Sequence, residues 1–170
     1  MPTAKDHQNK PLICVTNGKR LGEVKDLYLD ANLSRVTGVF VRHEGLIGRK
    51  TFAVDRGQIQ VLGIDAWLVS RPDAVVELGQ IGGADLFVAV GQLRGREIQT
   101  DGGTKIATVD DVILDADGNV VGFGLGRLFV QGPLAERKTI ARAAISSFGG
   151  KDAPMITSLA KAESLDAPAA

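Results

Sequence analysis

The residues best spaced for chemistry are Asp115, Asp117 and Asn119, whose alternating side-chain oxygens match the opening of a calcium-binding loop. Such a loop needs glycine at its sixth place for a sharp turn and glutamate at its twelfth for two further oxygens. Counted from Asp115, those places hold Val120 and Gly126, so the run Asp115-Ala116-Asp117-Gly118-Asn119 reads as a hairpin turn. Gly122-Phe123-Gly124-Leu125-Gly126 has the look of a phosphate cradle, but Arg127 stands where the last glycine belongs. No amphipathic helix follows to offer its N-terminus, so the glycines are those of a closely packed strand. His7 and His43, the two histidines, lie in a polar terminus and at a loop entry. Neither has a neighbour in sequence with which to move a proton or hold a metal, and both read as solvated surface groups. A G-x-S-x-G nucleophile elbow is absent. These residues name no catalytic group, no cofactor and no metal ligand, and the expectation is a protein that is not an enzyme.

What they do offer is a surface. One loop runs Arg42-His43-Glu44-Gly45-Leu46-Ile47-Gly48-Arg49-Lys50, and a second runs from Arg127 through Phe129, Pro133 and Leu134 to Arg137-Lys138. Leu46, Ile47, Phe129 and Leu134 beside Arg49, Lys50, Arg137 and Lys138 make an apolar anchor within a charged rim, the make-up of a protein-docking patch. The competing reading folds both loops over an open barrel end and buries Leu46, Ile47 and Phe129. Two acidic residues, Asp26 and Asp111, recur at one place in otherwise apolar strands. There a carboxylate is expected to accept backbone N–H bonds from a neighbouring turn.

The elements that must position this surface come in two copies. Thr16-Asn17-Gly18 and Thr100-Asp101-Gly102 are turn signals of the Asn-Gly and Asp-Gly kind, which favour positive φ and reverse a hairpin. After each turn, one constant shift along the chain matches Val24 with Val109, Asp26 with Asp111, Leu29 with Leu114 and Asp30 with Asp115. The match continues from Val36-Thr37-Gly38-Val39 to Val120-Val121-Gly122-Phe123, then from Arg49-Lys50-Thr51 to Arg137-Lys138-Thr139, and from Leu62-Gly63 to Phe148-Gly149. Ordered matches with indels confined to turns mark a tandem duplication. Leu27 and Leu29 share one strand face with Tyr28 on the other, which calls for strands covered on two sides, or a bulge between Val24 and Leu27. Gly38 and Gly122 sit inside strands where a barrel bends. Short strands with frequent turns give a mainly β chain with a small barrel per copy, little helix, and a short C-terminal helix or tail. The expected division is unit 1 over residues 8–70, a packed inter-unit segment over 71–92, unit 2 over 93–157 and a flexible tail over 158–170. Val75, Val76, Leu78, Ile81 and the run Leu86 to Val90 make the inter-unit segment too apolar for a free linker, so it packs or adds a strand.

Composition narrows the partners. Lys plus Arg number 20 and Asp plus Glu 20, so the net charge is zero and phosphate neutralisation has no basic excess to draw on. Cys14 is the one cysteine; between Ile13 and Val15 it reads as a buried strand thiol, and it rules out an internal disulfide. The polar N-terminus has no apolar core of signal length, and Leu86-Phe87-Val88-Ala89-Val90 falls far short of the roughly 20 residues of a membrane span. A cytoplasmic setting follows as the expectation, with a protein partner, no nucleic acid, no membrane insertion, and room for a homo-oligomer.

A turn glycine followed by Leu21-Gly22-Glu23-Val24-Lys25-Asp26-Leu27-Tyr28-Leu29-Asp30, a hairpin, Val36-Thr37-Gly38-Val39-Phe40-Val41 and a terminal Val61-Leu62-Gly63-Ile64-Asp65-Ala66-Trp67-Leu68-Val69 resembles the PRC-barrel family. The second copy resembles it too, from Leu93 through Asp115 and over Val120 to Leu125, but departs after Ser146, where the apolar density of the first copy is missing. The resemblance implies a fold of about six strands and a docking or complex-assembly role, with no catalytic residues to carry over. It points to an adaptor, similar in module to the cytoplasmic part of the photosynthetic reaction-centre H subunit. Second comes an RNA- or ribosome-associated factor, because a ribosome maturation factor ends in the same module. An enzyme with a site between the barrels stands third.

Overall fold

Two long hairpins organise the chain. A computed structural model describes residues 1–42, 50–150 and 152–165. In it the chain falls into two compact units, Ala4–Ala89 with Ala116–Asn119, and Val90–Asp115, Val120–Ala170 with Met1–Thr3. The first unit opens with a helical turn, α1 (Ala4–His7), and then β1 (Pro11–Cys14), β2 (Arg20–Leu29), β3 (Val36–Arg42), β4 (Phe52–Asp55), β5 (Ile59–Leu62) and β6 (Trp67–Val69). Two short strands complete it, β7 (Val76–Glu77) and β8 (Val88–Ala89). The sheet order is β5-β6-β1-β2-β3-β4-β7, with β6 parallel to β1 and β8 laid against β2. The inter-unit segment thus adds strands: β7 pairs with Phe52 and Ala53, and β8 with Tyr28 and Leu29.

Alternation in β2 explains the layers. Val24, Leu27 and Leu29 point into a core with Leu12, Val39, Val54, Trp67 and Val69, all buried. Tyr28 points the other way and is also buried, packed with Ala53 and Ile81 and flanked by Phe40, Val76, Leu78, Ala84, Phe87 and Ala89. The segment after β6 therefore supplies the cover that apolar residues on both strand faces require.

The second unit repeats the plan with α2 (Val90–Leu93), β9 (Glu97–Gln99), β10 (Lys105–Leu114), β11 (Val120–Leu128), α3 (Pro133–Arg137), β12 (Thr139–Ala141), β13 (Ile145–Ser147), β14 (Met155–Thr157) and α4 (Leu159–Ser164). Its sheet order, β12-β11-β10-β9-β14-β13, repeats β4-β3-β2-β1-β6-β5 of the first unit, which β7 and β8 extend. Each sheet curls as a half-barrel, one for each of two tandem barrel units. The backbone repeats in detail: Asn9 N–H donates to the Val24 carbonyl at 2.7 Å and Gly95 N–H to the Val109 carbonyl at 2.8 Å. Lys10 N–H bonds the His7 carbonyl, as Arg96 N–H bonds that of Leu93. His7 and Leu93 are therefore counterparts. So are Trp67 and Met155, which lie across from Leu12 and Ile98 in the parallel strand pairs. Although its sequence departs from the first copy after Ser146, the second copy keeps its closing strand, β14.

Both long hairpins carry a bulge where the recurrent carboxylates sit, between Val24 and Asp26 and between Val109 and Asp111. Asp26 Oδ1 accepts the N–H of Leu27 at 2.8 Å and Asp111 Oδ1 that of Val112 at 2.9 Å. Each carboxylate thus accepts an N–H of the bulge itself. Glycine placement differs slightly between the copies: the left-handed residue is Gly18 in the first turn but Gly103, not Gly102, in the second. His7 corrects the expectation of a solvated histidine. It is 1 % exposed, its Nδ1 accepts the Trp67 Nε1–H at 3.0 Å, and the rings meet edge-on at 5.3 Å and 83°. The polar terminus becomes a helical turn that buries His7 and Ala4 and leaves Lys5 and Asp6 exposed, because Trp67 brings a donor that only a polar side chain can satisfy.

Asp30 fastens the β2–β3 turn. Its Oδ1 accepts the backbone N–H of Ser34 at 2.6 Å and of Arg35 at 3.2 Å, while Oδ2 accepts the Ser34 hydroxyl. Burial pushes this carboxyl up, but the Ser34 and Arg35 bonds together with the Arg35 charge outweigh it and hold the pKa below its ordinary 3.8. A carboxyl lowered in the folded state contributes stability above its unfolded pKa and loses it as pH falls through the folded value. Asp30→Ala should therefore cost about 1 kcal/mol at neutral pH and nothing further once the native carboxyl is protonated. Urea midpoints for the two proteins should converge on acidification; parallel curves would show that the turn does not depend on this carboxylate.

Candidate partner-binding site

Among the expected docking residues, Phe129 is an exposed apolar one. It follows the last residue of β11, and its N–H donates to the Ile106 carbonyl at 2.9 Å, which anchors it beside the start of β10. The residue is 39 % exposed. The Arg127 guanidinium lies over it at 5.1 Å from the ring centre and the Lys105 ammonium at 5.8 Å. Cations hold such positions through attraction to the ring's electron-rich face, worth about 0.5–1 kcal/mol when exposed. Lys105 also pairs with Glu97 at 3.3 Å. The Gln99 amide and the Lys105 ammonium, in that order, hold the Glu97 carboxyl below its usual range. Arg127 forms no ion pair among the described residues. The result is an exposed apolar ring between two cations, one of them uncompensated.

The other expected docking residues are spread differently. Leu46, Ile47 and Arg49, with His43, lie outside the described residues. Lys50 is exposed and pairs with Glu77 at 3.1 Å, in the first unit. Leu134 is fully buried, because Gly132-Pro133 starts α3 and turns Leu134 inward. It offers no exposed anchor. Arg137 is turned to structure: its Nη2 donates to the Ala162 and Glu163 carbonyls at 2.9 and 3.1 Å and its Nη1 to Leu165, tying down the C-terminal end of α4. Lys138 is exposed, with φ +57 at the end of α3, and its carbonyl accepts the Leu125 N–H. Of the eight candidates, Phe129 alone keeps an exposed apolar face among the described residues, and its cations are Arg127 and Lys105.

Loop composition alone misses Lys105, although the sequence carries a signal for it. Counting back from the Asp115–Asn119 turn along an antiparallel hairpin puts residue 105 opposite residue 129, and Ala107 does lie across from Leu128.

The first unit holds an open cleft of about 540 Å³ lined by Asp55, Gln58, Arg71, Asp73, Gln80 and Ile81 among others. Its carboxylates are occupied: Asp55 accepts the Gly57 N–H at 3.0 Å, and Asp73 pairs with Arg71 at 3.1 Å. No group of three His, Cys, Asp or Glu residues gathers as a metal site among the described residues. No helix of the described residues is long and apolar enough to cross a membrane.

Two sheets of one strand order, each with a bulged long hairpin and a parallel closing strand, define a duplicated small-barrel protein. A model of the PRC-barrel domain matches residues 4–73 and 87–141, and the chain belongs to that family. The second match stops at residue 141, yet β13 and β14 complete the sheet as β5 and β6 complete the first. No curated protein matches the chain.

Proposed function

We propose that this tandem PRC-barrel protein is a non-enzymatic docking module, and that the Phe129 edge of its second unit grips a protein partner. PRC-barrel domains are associated with protein contacts and complex assembly. The observation that carries the finer reading is the partly exposed Phe129 between Lys105 and an Arg127 that pairs with no carboxylate among the described residues. Such a site suits a segment that offers an apolar side chain next to an acidic one: the ring gains about 25 cal/mol per Å² when covered, and the arginine steers the approach. The committed carboxylates of the first-unit cleft favour binding over catalysis. A cytoplasmic setting belongs to the same proposal, on the strength of the lone buried thiol.

A photo-cross-linking phenylalanine analogue at position 129 should capture the partner, after which affinity is measured with purified components. Phe129→Ser and Arg127→Glu should each weaken binding at least about tenfold, as a buried anchor and its charge do, while thermal stability stays near that of the native chain. Unchanged affinity in both variants would sink the assignment. An exposed aromatic between cations can also stack nucleobases. RNA retention that falls steeply with salt and is lost in Arg127→Glu would replace the protein partner with a ribosomal or other RNA one.

A further inference from the structure

The sheet of the first unit ends on β5, and among the described residues no strand pairs with its outer edge. The solvent face beside it is apolar. Val61, 46 % exposed, lies across from Leu68, and Leu68 across from Ile13. Val15, 43 % exposed, is two residues further along the same face, and Ile64 beyond the strand end is 59 % exposed. The second unit is an internal comparison built on the same strand order. There Ser147 lies across from Ile156 and Ile156 across from Gln99, with Asp101 two residues on. One duplicated scaffold is polar at this place in one copy and apolar in the other. Single exposed hydrophobic residues are ordinary, but a contiguous row next to an unpaired edge marks a contact surface. The edge Ile59-Gln60-Val61-Leu62 also lacks the lysine or proline that keeps an exposed strand from pairing.

The charges sit at the strand's two ends. Arg56 precedes it, its Nη1 donating to the Ile59 carbonyl at 2.8 Å, and Asp65, exposed, follows it. Two copies running antiparallel bring the Arg56 end of each to the Asp65 end of its mate, whereas a parallel arrangement sets like charges together. We propose that β5 is the seam of a two-fold homodimer, in which it pairs antiparallel with itself and the Ile13–Leu68–Val61 rows of two copies join across the seam. The strand meets the requirement of a two-fold interface, a surface complementary to itself, and main-chain pairing at an open edge supplies the register. This surface shares no residue with the Phe129 edge, so either assignment can fail without the other.

Sedimentation velocity of the full chain over a dilution series should show a reversible monomer–dimer equilibrium. Val61→Lys should leave only monomer, while Ser147→Lys, at the same place in the second unit, should leave the equilibrium unchanged. Gln60→Cys should give a disulfide-linked dimer on mild oxidation, since antiparallel self-pairing brings residue 60 beside its own copy and the native Cys14 is buried. A chain that stays monomeric throughout, a dimer indifferent to Val61→Lys, a dimer lost in Ser147→Lys, or a Gln60→Cys chain that does not cross-link would each overturn the proposal.

Discussion

Trp67→Ala is expected to cost the first unit about 3–5 kcal/mol, the range for emptying a large buried aromatic site. Trp67 is fully buried and is the chain's one tryptophan. It leans edge-on against His7 and donates its indole N–H to His7 Nδ1. His7→Leu keeps most of the volume but strands that N–H in the core, so it should cost about 1–3 kcal/mol. The second unit shows what a matched apolar pair looks like, with Leu93 and Met155 buried at the same two places. The double substitution His7→Leu, Trp67→Met should therefore be less destabilising than the sum of its two single changes, the mark of coupled neighbours. Urea unfolding followed by circular dichroism measures all three. Additive costs, or a free His7→Leu change, would mean that the hydrogen bond contributes nothing.

A second large effect is expected at Gly149. Its φ is +70, and a Cβ there would lie 2.5 Å from the Ala153 carbonyl oxygen and 2.7 Å from that of Pro154. Gly149→Ala thus meets two penalties, roughly 1–2 kcal/mol for the left-handed backbone and a steric overlap that rigid carbonyls cannot relieve. A total of about 3 kcal/mol is expected, in the upper part of the range for single changes. Gly63 is its counterpart in the first unit, and a Cβ there would collide with the Ala66 carbonyl oxygen. Gly18 separates the two penalties: its φ is +68, but a Cβ there would meet nothing within 4 Å. Gly18→Ala should cost only the backbone share. Equal melting temperatures for Gly18→Ala and Gly149→Ala would show that the β13–β14 turn yields to accommodate the added methyl.

The repeat, the bulge at Asp26 and Asp111 and the cover over Tyr28 are legible because each is written in local alternation, twice. The signal fails where a partner is distant. His7 looks solvated among polar neighbours, and the donor that buries it comes 60 residues later. Leu134 and Arg137 resemble a docking rim because loop composition does not reveal direction. The Gly132-Pro133 start of α3 decides that Leu134 faces in, and the carbonyls at the end of α4 decide where Arg137 goes. Lys105 and Phe129 meet only through hairpin register, which tolerates the three register shifts of β10 and β11 because they leave the count nearly unchanged.

The make-up of the two units has a practical consequence for anyone who would express a single repeat. The first unit takes in Ala116–Asn119: the Val36 N–H donates to the Gly118 carbonyl at 2.8 Å, and Arg35 bridges Asn119. The second takes in Met1–Thr3: the Leu114 N–H donates to the Pro2 carbonyl at 3.0 Å, and Thr3 bridges Ile113. A gene fragment cut between Ala89 and Val90 would leave each product with backbone donors whose acceptors were translated on the other piece. The duplication that made this chain is no longer modular, and shuffling one repeat into a new protein would require its borrowed residues to travel with it.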